Sequence, residues 1–380
     1  MPLATTRVSE GSAELIIPEQ SLQDPFHTLA FYNTRMSFNR SLSSLALGCA
    51  LPLLEGGEVL DGLCSLGARG LRYLKENKGV KRVTFGEANP HALKLLKRNL
   101  ALNKIPKSKC EVWSGDLNRS LLGHKRLFDF VELDPFGSPV FYFESVLRRV
   151  HKKSVFSITA TDLANLFGSK PKPALRHYDA RAVRCEYGHE LALRILVGKI
   201  VRSAAVLDYA AKPLLSFFEG HAAKCVALVE KGAPLADNAL REIGFVSHCP
   251  KCLHRENSRW PIEKCSVCGG RMEPAGPLWL GKLCEEEFLD CLSKENGVRH
   301  YNEKTEIFQL LSLLREENSL PQCYFDLHSL AQKAGLPAPA TAKVIERLRS
   351  KGFQASGTHF STQGVRTNAS AAEVSKVLGK

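Results

Sequence analysis

Phe128-Asp129-Phe130-Val131-Glu132-Leu133-Asp134-Pro135-Phe136-Gly137 is the stretch on which the fold turns. Its first six residues read as a short strand, and Asp134-Pro135 stops it, because proline offers no amide to a sheet and biases the residue before it. Working backward, Glu58-Val59-Leu60-Asp61 reads as a strand, followed by a glycine-bearing loop and a helix through Leu71 to Lys75. Arg82–Glu87 is a second strand. From Pro90 to Leu102 the spacing puts Ala92, Leu95, Leu96 and Leu100 on one helical face. Cys110–Trp113 is a third strand, which makes Phe128–Leu133 the fourth and Ser154–Ala160 the fifth. Such alternation predicts an α/β fold, with a parallel sheet and helices on both faces. Glu186–Leu207 reads as a helix, and Leu214–Phe218 and Cys225–Val229 as two strands that complete the sheet.

The character changes after Gly244. Cys249/Cys252 and Cys265/Cys268 form two CxxC pairs separated by twelve residues. That spacing suits a tetrahedral, structural Zn2+ site of four thiolates. Helices are expected at Thr305–Glu317, Tyr324–Ala334 and, after a turn at Pro337/Pro339, Thr341–Lys351, then a hairpin at Phe353–Phe360. Three helices and a hairpin in that order suggest a winged-helix-like module. The remaining eight cysteines are expected to be small buried hydrophobes without chemistry, and the three tryptophans to be packing residues. His27 and His221 lack supporting neighbours and read as surface or packed side chains.

The 380 residues carry a formal net charge of +13. Basic residues cluster at Arg148, Arg149, His151, Lys152 and Lys153, and again at Lys170, Lys172, Arg176, His177 and Arg181. Such clusters would focus a field on a polyanion, so nucleic acid is the expected partner. No apolar run approaches the ~20 residues of a membrane span, no secretory leader is evident, and the expectation is a soluble, cytoplasmic protein. Disulfides are not expected there.

The expected reaction centre is Asp134. A carboxylate followed by proline and an aromatic ring at a sheet's carboxyl edge suits methyl transfer to an exocyclic amine: the ring stacks on a base, and the carboxylate orients the nitrogen and takes its proton. Between the first strand and its helix, Asp61–Gly70 has glycines that let backbone approach a cofactor, but no pyrophosphate-binding GxGxxG. Arg69 in that turn suits a carboxylate, which S-adenosyl-L-methionine carries. Glu87, ending the second strand, suits ribose hydroxyls, and Asp116, after the third, an adenine amine.

Taken with Phe31-Tyr32-Asn33-Thr34-Arg35-Met36, Asn39-Arg40, Thr159-Ala160-Thr161-Asp162, Gly357-Thr358-His359-Phe360-Ser361 and Gly364, the Asp134-Pro-Phe-Gly motif resembles the tRNA (guanine-26-N2)-dimethyltransferase family along nearly the whole chain. Thr34 stands where the family usually has proline, Glu87 where aspartate is usual, and Gly220–Lys224 replaces a more aromatic stretch. The resemblance implies a class I Rossmann-like methyltransferase domain over residues 1–244. It implies a family-specific C-terminal α+β domain over 245–380 that carries the zinc site and binds tRNA. The implied activity is mono- and then dimethylation of the N2 of a tRNA guanine. Carried over residue by residue, Arg40, Arg69, Glu87, Asp116 and the backbone of Leu117 would hold S-adenosyl-L-methionine. Asp134 would be catalytic, and Phe31 and Phe136 would sandwich or stack on the guanine. No obligate protein partner is implied. Two alternatives stand beside it: an amino-methyltransferase of another tRNA guanine, ribosomal RNA or DNA, and a tRNA-binding protein without catalysis.

Overall fold

The computed structural model describes residues 4–337 and 339–379. Ala338, inside the turn expected between Pro337 and Pro339, lies outside the described residues, as do Met1 and Lys380 at the ends of the two expected domains. The chain opens with an antiparallel hairpin, β1 (Thr5–Glu10) and β2 (Ala13–Pro18), and then helix α1 (Ser37–Ala50). The sequence reading contains neither. α1 explains why: from Asn39 to Leu47 every residue is buried, so no apolar stripe marks a helical period.

The alternating part follows as β3 (Glu58–Asp61), α2 (Ala68–Glu76), β4 (Arg82–Glu87), α3 (Pro90–Leu102), β5 (Cys110–Ser114), α4 (Leu117–Gly123), β6 (Phe128–Leu133), α5 (Phe143–Leu147) and β7 (Val150–Ala160). After it come α6 (Leu163–Leu166), α7 (Pro171–Tyr178), α8 (Gly188–Ala205), β8 (Tyr209–Glu219), β9 (Ala222–Lys231) and α9 (Ala233–Leu240). Local chemistry sets the sharpest of these. All six residues of β6 are buried, which matches its near-continuous apolar run. α3 starts where Asn89 accepts the His91 amide at 2.9 Å and Pro90 takes the first helical position.

The seven strands form one sheet in the order β5-β4-β3-β6-β7-β9-β8. It is mixed rather than parallel: β9 runs antiparallel to both β7 and β8, because a two-residue turn joins β8 to β9 as a hairpin. The chain winds outward from β3 to β5, then returns to β6 on the other side of β3. This reversal opens a crevice at the carboxyl ends of β3 and β6, where α/β sheets bind ligands.

β10 (Ile243–His248), β11 (Arg255–Ser258) and β12 (Glu273–Trp279) make a second, antiparallel sheet, and residue 244 falls inside β10. Then come α10 (Glu286–Val298), α11 (Lys304–Asn318), β13 (Phe325–Asp326), α12 (Leu327–Ala334), α13 (Thr341–Ser350), β14 (Ala355–Thr358), β15 (Ser361–Thr367) and α14 (Ala371–Leu378). The helix expected from Tyr324 begins only at Leu327. Phe325 and Asp326 pair with β15, and the Asp326 carboxylate caps α12 through the Ser329 amide at 2.8 Å. The hairpin likewise runs past Phe360 to Thr367.

Cys49 on α1 and Cys291 on α10 are joined as a disulfide, with Cα atoms 5.9 Å apart. This overturns the expectation of inert thiols for that pair, which lies 242 residues apart in sequence. Cys110 and Cys185 are only half-buried. Trp260 is 71% exposed and is not a packing residue, whereas Trp113 stacks on His124 with centroids 4.3 Å apart. Among the described residues, no helix is long and apolar enough to cross a membrane.

Candidate active site

The Asp134-Pro-Phe-Gly turn leaves the carboxyl end of β6 and is held by the end of β7. Thr161 Oγ1 accepts the Gly137 amide at 2.7 Å, and the Thr161 amide donates to the Gly137 carbonyl at 3.1 Å. Gly137 has φ +90°, a left-handed backbone that glycine adopts without penalty. Behind the turn, the Tyr178 hydroxyl lies 3.1 Å from the Ser138 hydroxyl and 2.5 Å from the Asp162 carboxylate.

Asp134 Oδ2 accepts from Arg69 Nη2. Arg69 is not a surface residue at the head of α2: it is 6% exposed, and it also donates to Ser43 and Asn39, each at 3.0 Å. Its Nε lies 3.6 Å from Glu132, which is wholly buried in β6. Glu132 in turn accepts from Lys224 Nζ and from the Tyr73 hydroxyl, each at 2.7 Å. Burial favours a neutral Asp134, but the Arg69 and Lys224 cations outweigh it and hold the carboxyl below its ordinary pKa. Asp61, at the end of β3, is pushed up to about 7 by burial and by Glu132. Two cations therefore face three carboxylates, and the one without a close cation is the one that keeps its proton most readily. Asp134 Oδ1 accepts no hydrogen bond among the described residues, and the side chain is 24% exposed. One oxygen is fixed and the other is open to an incoming amine.

Two aromatic rings meet at the turn that bears this carboxylate. Phe136 is 72% exposed and meets Phe31 edge to face, with centroids 4.7 Å apart and planes at 81°. A base cannot lie between rings so placed, so a sandwich requires one of them to turn aside. The Phe31 segment is tied over the crevice: its carbonyl accepts from Ser65 at 2.7 Å, and the Leu29 carbonyl accepts from Asn89 at 2.7 Å. Thr34 opens a short turn that Asn33 caps through the Arg35 amide at 3.0 Å, so the turn forms without proline.

Arg40 sits below Phe31. It pairs with Glu10 of β1 through two nitrogens, donates to the Asn33 carbonyl at 3.0 Å, and lies 4.8 Å from the Tyr32 ring centroid. Burial would raise the Glu10 pKa, but Arg40 and Arg72 hold it at about 2. On the opposite flank of the crevice stand Glu87, half-buried at the end of β4, and Asp116, exposed after β5. Glu87 accepts the Asn89 amide at 2.7 Å. Asp116 caps α4 through the Arg119 amide at 2.8 Å, which leaves its second oxygen available. Leu117 is the first residue of α4, so its amide has no partner within the helix. The loop glycines serve packing as well as access. A side chain on Gly62 would come within 2.9 Å of Leu117, and Gly67 begins α2 with φ +86°.

Away from the crevice, the Sγ atoms of Cys249, Cys252, Cys265 and Cys268 all lie within 4.8 Å of one another. The pairs Cys249–Cys268 and Cys252–Cys265 are 3.5 and 3.6 Å apart. Four sulfurs about 2.3 Å from a tetrahedral zinc are separated by roughly 3.8 Å, so the residues fit that ion.

Residues 11–379 match the family described as N2,N2-dimethylguanosine tRNA methyltransferase. The chain belongs to that family. A tRNA (guanine(26)-N(2))-dimethyltransferase from Methanothermobacter thermautotrophicus is 35% identical, over 98% of both chains. A tRNA (guanine(26)-N(2)/guanine(27)-N(2))-dimethyltransferase from Aquifex aeolicus is 36% identical, over 98% of this chain and 95% of its own. Among solved structures, Trm1 from Pyrococcus horikoshii in complex with S-adenosyl-L-methionine superposes with a TM-score of 0.87 at 29% identity, covering 98% of this chain and 99% of that one.

The residues singled out in the sequence thus separate into two places. Asp134, Phe136, Phe31, Arg40, Arg69, Glu87, Asp116 and Leu117 surround the crevice, while the four cysteines lie in the loops that join the strands of the second sheet. Sequence reasoning missed Glu10, Asp61, Glu132, Thr161 and Lys224. A carboxylate inside the apolar strand of Glu132 was the available signal, since burial there demands a partner.

Proposed function

We propose that the chain transfers methyl groups from S-adenosyl-L-methionine to the exocyclic N2 of guanine 26 in tRNA, giving N2,N2-dimethylguanosine. The observation that carries this is the pairing of Asp134, with one fixed and one open oxygen, and the exposed Phe136 ring at the carboxyl end of β6. The cofactor supplies an electrophilic methyl group on a sulfonium. Glu87, Asp116 and the Leu117 amide would offer the acceptors and donor that the cofactor's adenosine needs, and Arg40 and Arg69 the cations for the carboxylate of its methionine part. Both arginines are already paired, so they hold that carboxylate by sharing donors.

Asp134 does the proton work. Its open oxygen accepts a hydrogen from the amine and turns the nitrogen lone pair toward the methyl group. Its low pKa suits this task, because an arylamine that has gained a methyl group is strongly acidic and needs only a weak base. Phe136 and Phe31 hold the base once it leaves the helix, offsetting the few kcal/mol that flipping costs. Residues 1–244 carry this chemistry. Residues 245–380 hold the tRNA, with the four cysteines around a structural zinc. The order α11-β13-α12-α13-β14-β15 supports a winged-helix-like module there. The cytoplasm, where tRNA is found, is the expected location.

Guanine 27 is a second target to test, because the Aquifex aeolicus relative carries both positions in its name. The test is nucleoside mass spectrometry of unmodified tRNA incubated with the protein and cofactor, with the position mapped. Methylguanosine at 26 is expected. Methylation of an adenine, of DNA alone or of nothing would reject the proposal.

A further inference from the structure

The basic residues that looked like one field in the sequence lie at opposite poles of the sheet. Arg148, Arg149, His151, Lys152 and Lys153 belong to the amino end of β7, remote from the reaction centre. Most are also used locally. Arg148 pairs with Glu144 at 2.9 Å, Arg149 donates to the Leu121 carbonyl at 2.6 Å, and His151 lies 4.0 Å from Asp129.

The second group follows the carboxyl end of β7. Lys170, Lys172, Arg176, Arg181 and Arg184 are all exposed, and none makes a salt bridge or side-chain hydrogen bond among the described residues. The stretch from 162 to 184 has two acids, and both are occupied. Asp162 accepts from Tyr178 and Asn165, and Asp179 pairs with Lys199 at 2.6 Å. Five cations within 15 residues, none of them paired with a carboxylate among the described residues, leave a strongly positive surface. α7 is fixed relative to the reaction centre, because buried Tyr178 near its end reaches both Ser138, which follows the Asp134-Pro-Phe-Gly turn, and Asp162. Lys172 and Arg176 are one helical turn apart on α7 and face the same way. Phe141, 60% exposed, packs against His177 with centroids 5.1 Å apart and extends the surface toward the turn.

We propose that α7 and its flanking loops grip the RNA sugar–phosphate backbone next to the flipped guanine. The partner is a polyanion because the surface offers five free guanidinium and ammonium groups, while its two carboxylates are already engaged with neighbouring side chains. It is the strand adjacent to the target because Tyr178 ties the surface to the turn that bears Asp134. The proposal rests on the reading of the chain as a tRNA methyltransferase.

The test is a charge reversal in the full chain, Lys172→Glu with Arg176→Glu, beside Lys152→Glu with Lys153→Glu at the other pole. Binding of unmodified tRNA is measured across salt concentrations, and methylation gives kcat and KM. Each lost phosphate contact should lower the slope of log affinity against log salt by about one. The first variant should therefore lose about two from the slope and raise KM on the order of tenfold, with kcat at saturating tRNA within about twofold. The second should stay near wild type. An unchanged slope in the first variant, or an equal loss in both, overturns the proposal. A circular dichroism spectrum and cofactor affinity like those of wild type show that the first variant is folded. If wild type itself methylates no tRNA, it is the proposed function that falls.

Discussion

Two of the buried ion networks in the protein are built from similar side-chain types, and they do opposite things. In the crevice, Arg69 and Lys224 face Glu132, Asp134 and Asp61, and the set ends in a carboxylate oxygen without a hydrogen-bond partner among the described residues. The other lies where α8 meets the C-terminal elements. Glu190 accepts from Arg194 at 2.9 Å, Arg366 at 2.7 Å and the Cys323 amide at 3.0 Å, while Glu317 accepts from His359 and Thr358. His359 also accepts the Phe218 amide at 3.1 Å, which links the β14–β15 turn to the edge of the main sheet. Here every carboxylate oxygen has a donor. Buried charge without a vacancy fixes a junction, and buried charge with one vacancy is available for chemistry.

Breaking the open network should have the larger effect on rate. Asp134→Asn keeps the shape but removes the proton acceptor, and should lower methyl transfer by about a thousandfold. Affinity for tRNA should stay within about twofold, because the phosphates are held elsewhere. Single-turnover methylation beside filter binding checks this, and equal loss of both would remove Asp134 from its assigned role.

Breaking the closed network should act on stability instead. Glu190→Gln leaves Arg194 without its anion and Arg366 with only Glu317, 3.7 Å from its Nε, and should cost about 3–5 kcal/mol. Burial would raise the Glu190 pKa, but Arg366, Arg194 and the Cys323 amide overcome it and hold it at about 2. The sign follows: the folded pKa lies below the unfolded value of 4.5. The stabilisation is thus complete above pH 4.5 and lost as pH falls toward 2, and is worth on the order of 3 kcal/mol. Denaturant unfolding of wild type and Glu190→Gln should give curves that converge across that window. A constant gap would show that the carboxylate charge is not what holds the junction.

The two networks also differ in how far the sequence exposed them. β6 and Asp134 were legible because an apolar run stops at Asp-Pro, and the cysteine cluster because its spacing fits one ion. Glu132 was placed in the strand but given no role, since its partner Lys224 is 92 residues away. Glu190 pairs locally with Arg194 four residues on, but it meets Arg366 across 176 residues, and no local pattern announces that contact. α1 was silent because a helix buried all round has no period; β9 was legible as a strand, but its antiparallel direction was not, because strand direction is not written in composition. Pairing over long separations is decided by packing, and the chain does not display it one segment at a time.

Aromatic rings sharpen the same contrast. Phe136 is exposed beside the open network, while Phe360 is buried beside the closed one and stacks on Tyr324 with centroids 5.9 Å apart. Phe136→Leu should lower kcat/KM about 10- to 100-fold by loss of base stacking worth roughly 1–3 kcal/mol, with unchanged unfolding. Phe360→Leu should lower stability with kcat/KM intact. The reverse pattern in the pair would separate ring exposure from substrate contact and undo the assignment of Phe136.

The smallest expected effect concerns what keeps the vacancy in place. Thr161 joins the turn after Asp134 to the end of β7 by one neutral hydrogen bond to Gly137 and a second from its own amide. Thr161→Val preserves the shape and the amide, but removes the acceptor for the Gly137 amide, a change of about 1 kcal/mol. Because that amide is near solvent, global stability should hardly move. The effect should instead fall on kcat, as a loss of about fivefold, since a carboxylate that drifts no longer aims the amine. Thr161→Ser keeps the hydroxyl and should restore the rate. If Ser is as slow as Val, the methyl packing of Thr161 rather than its hydrogen bond holds Asp134 at the crevice.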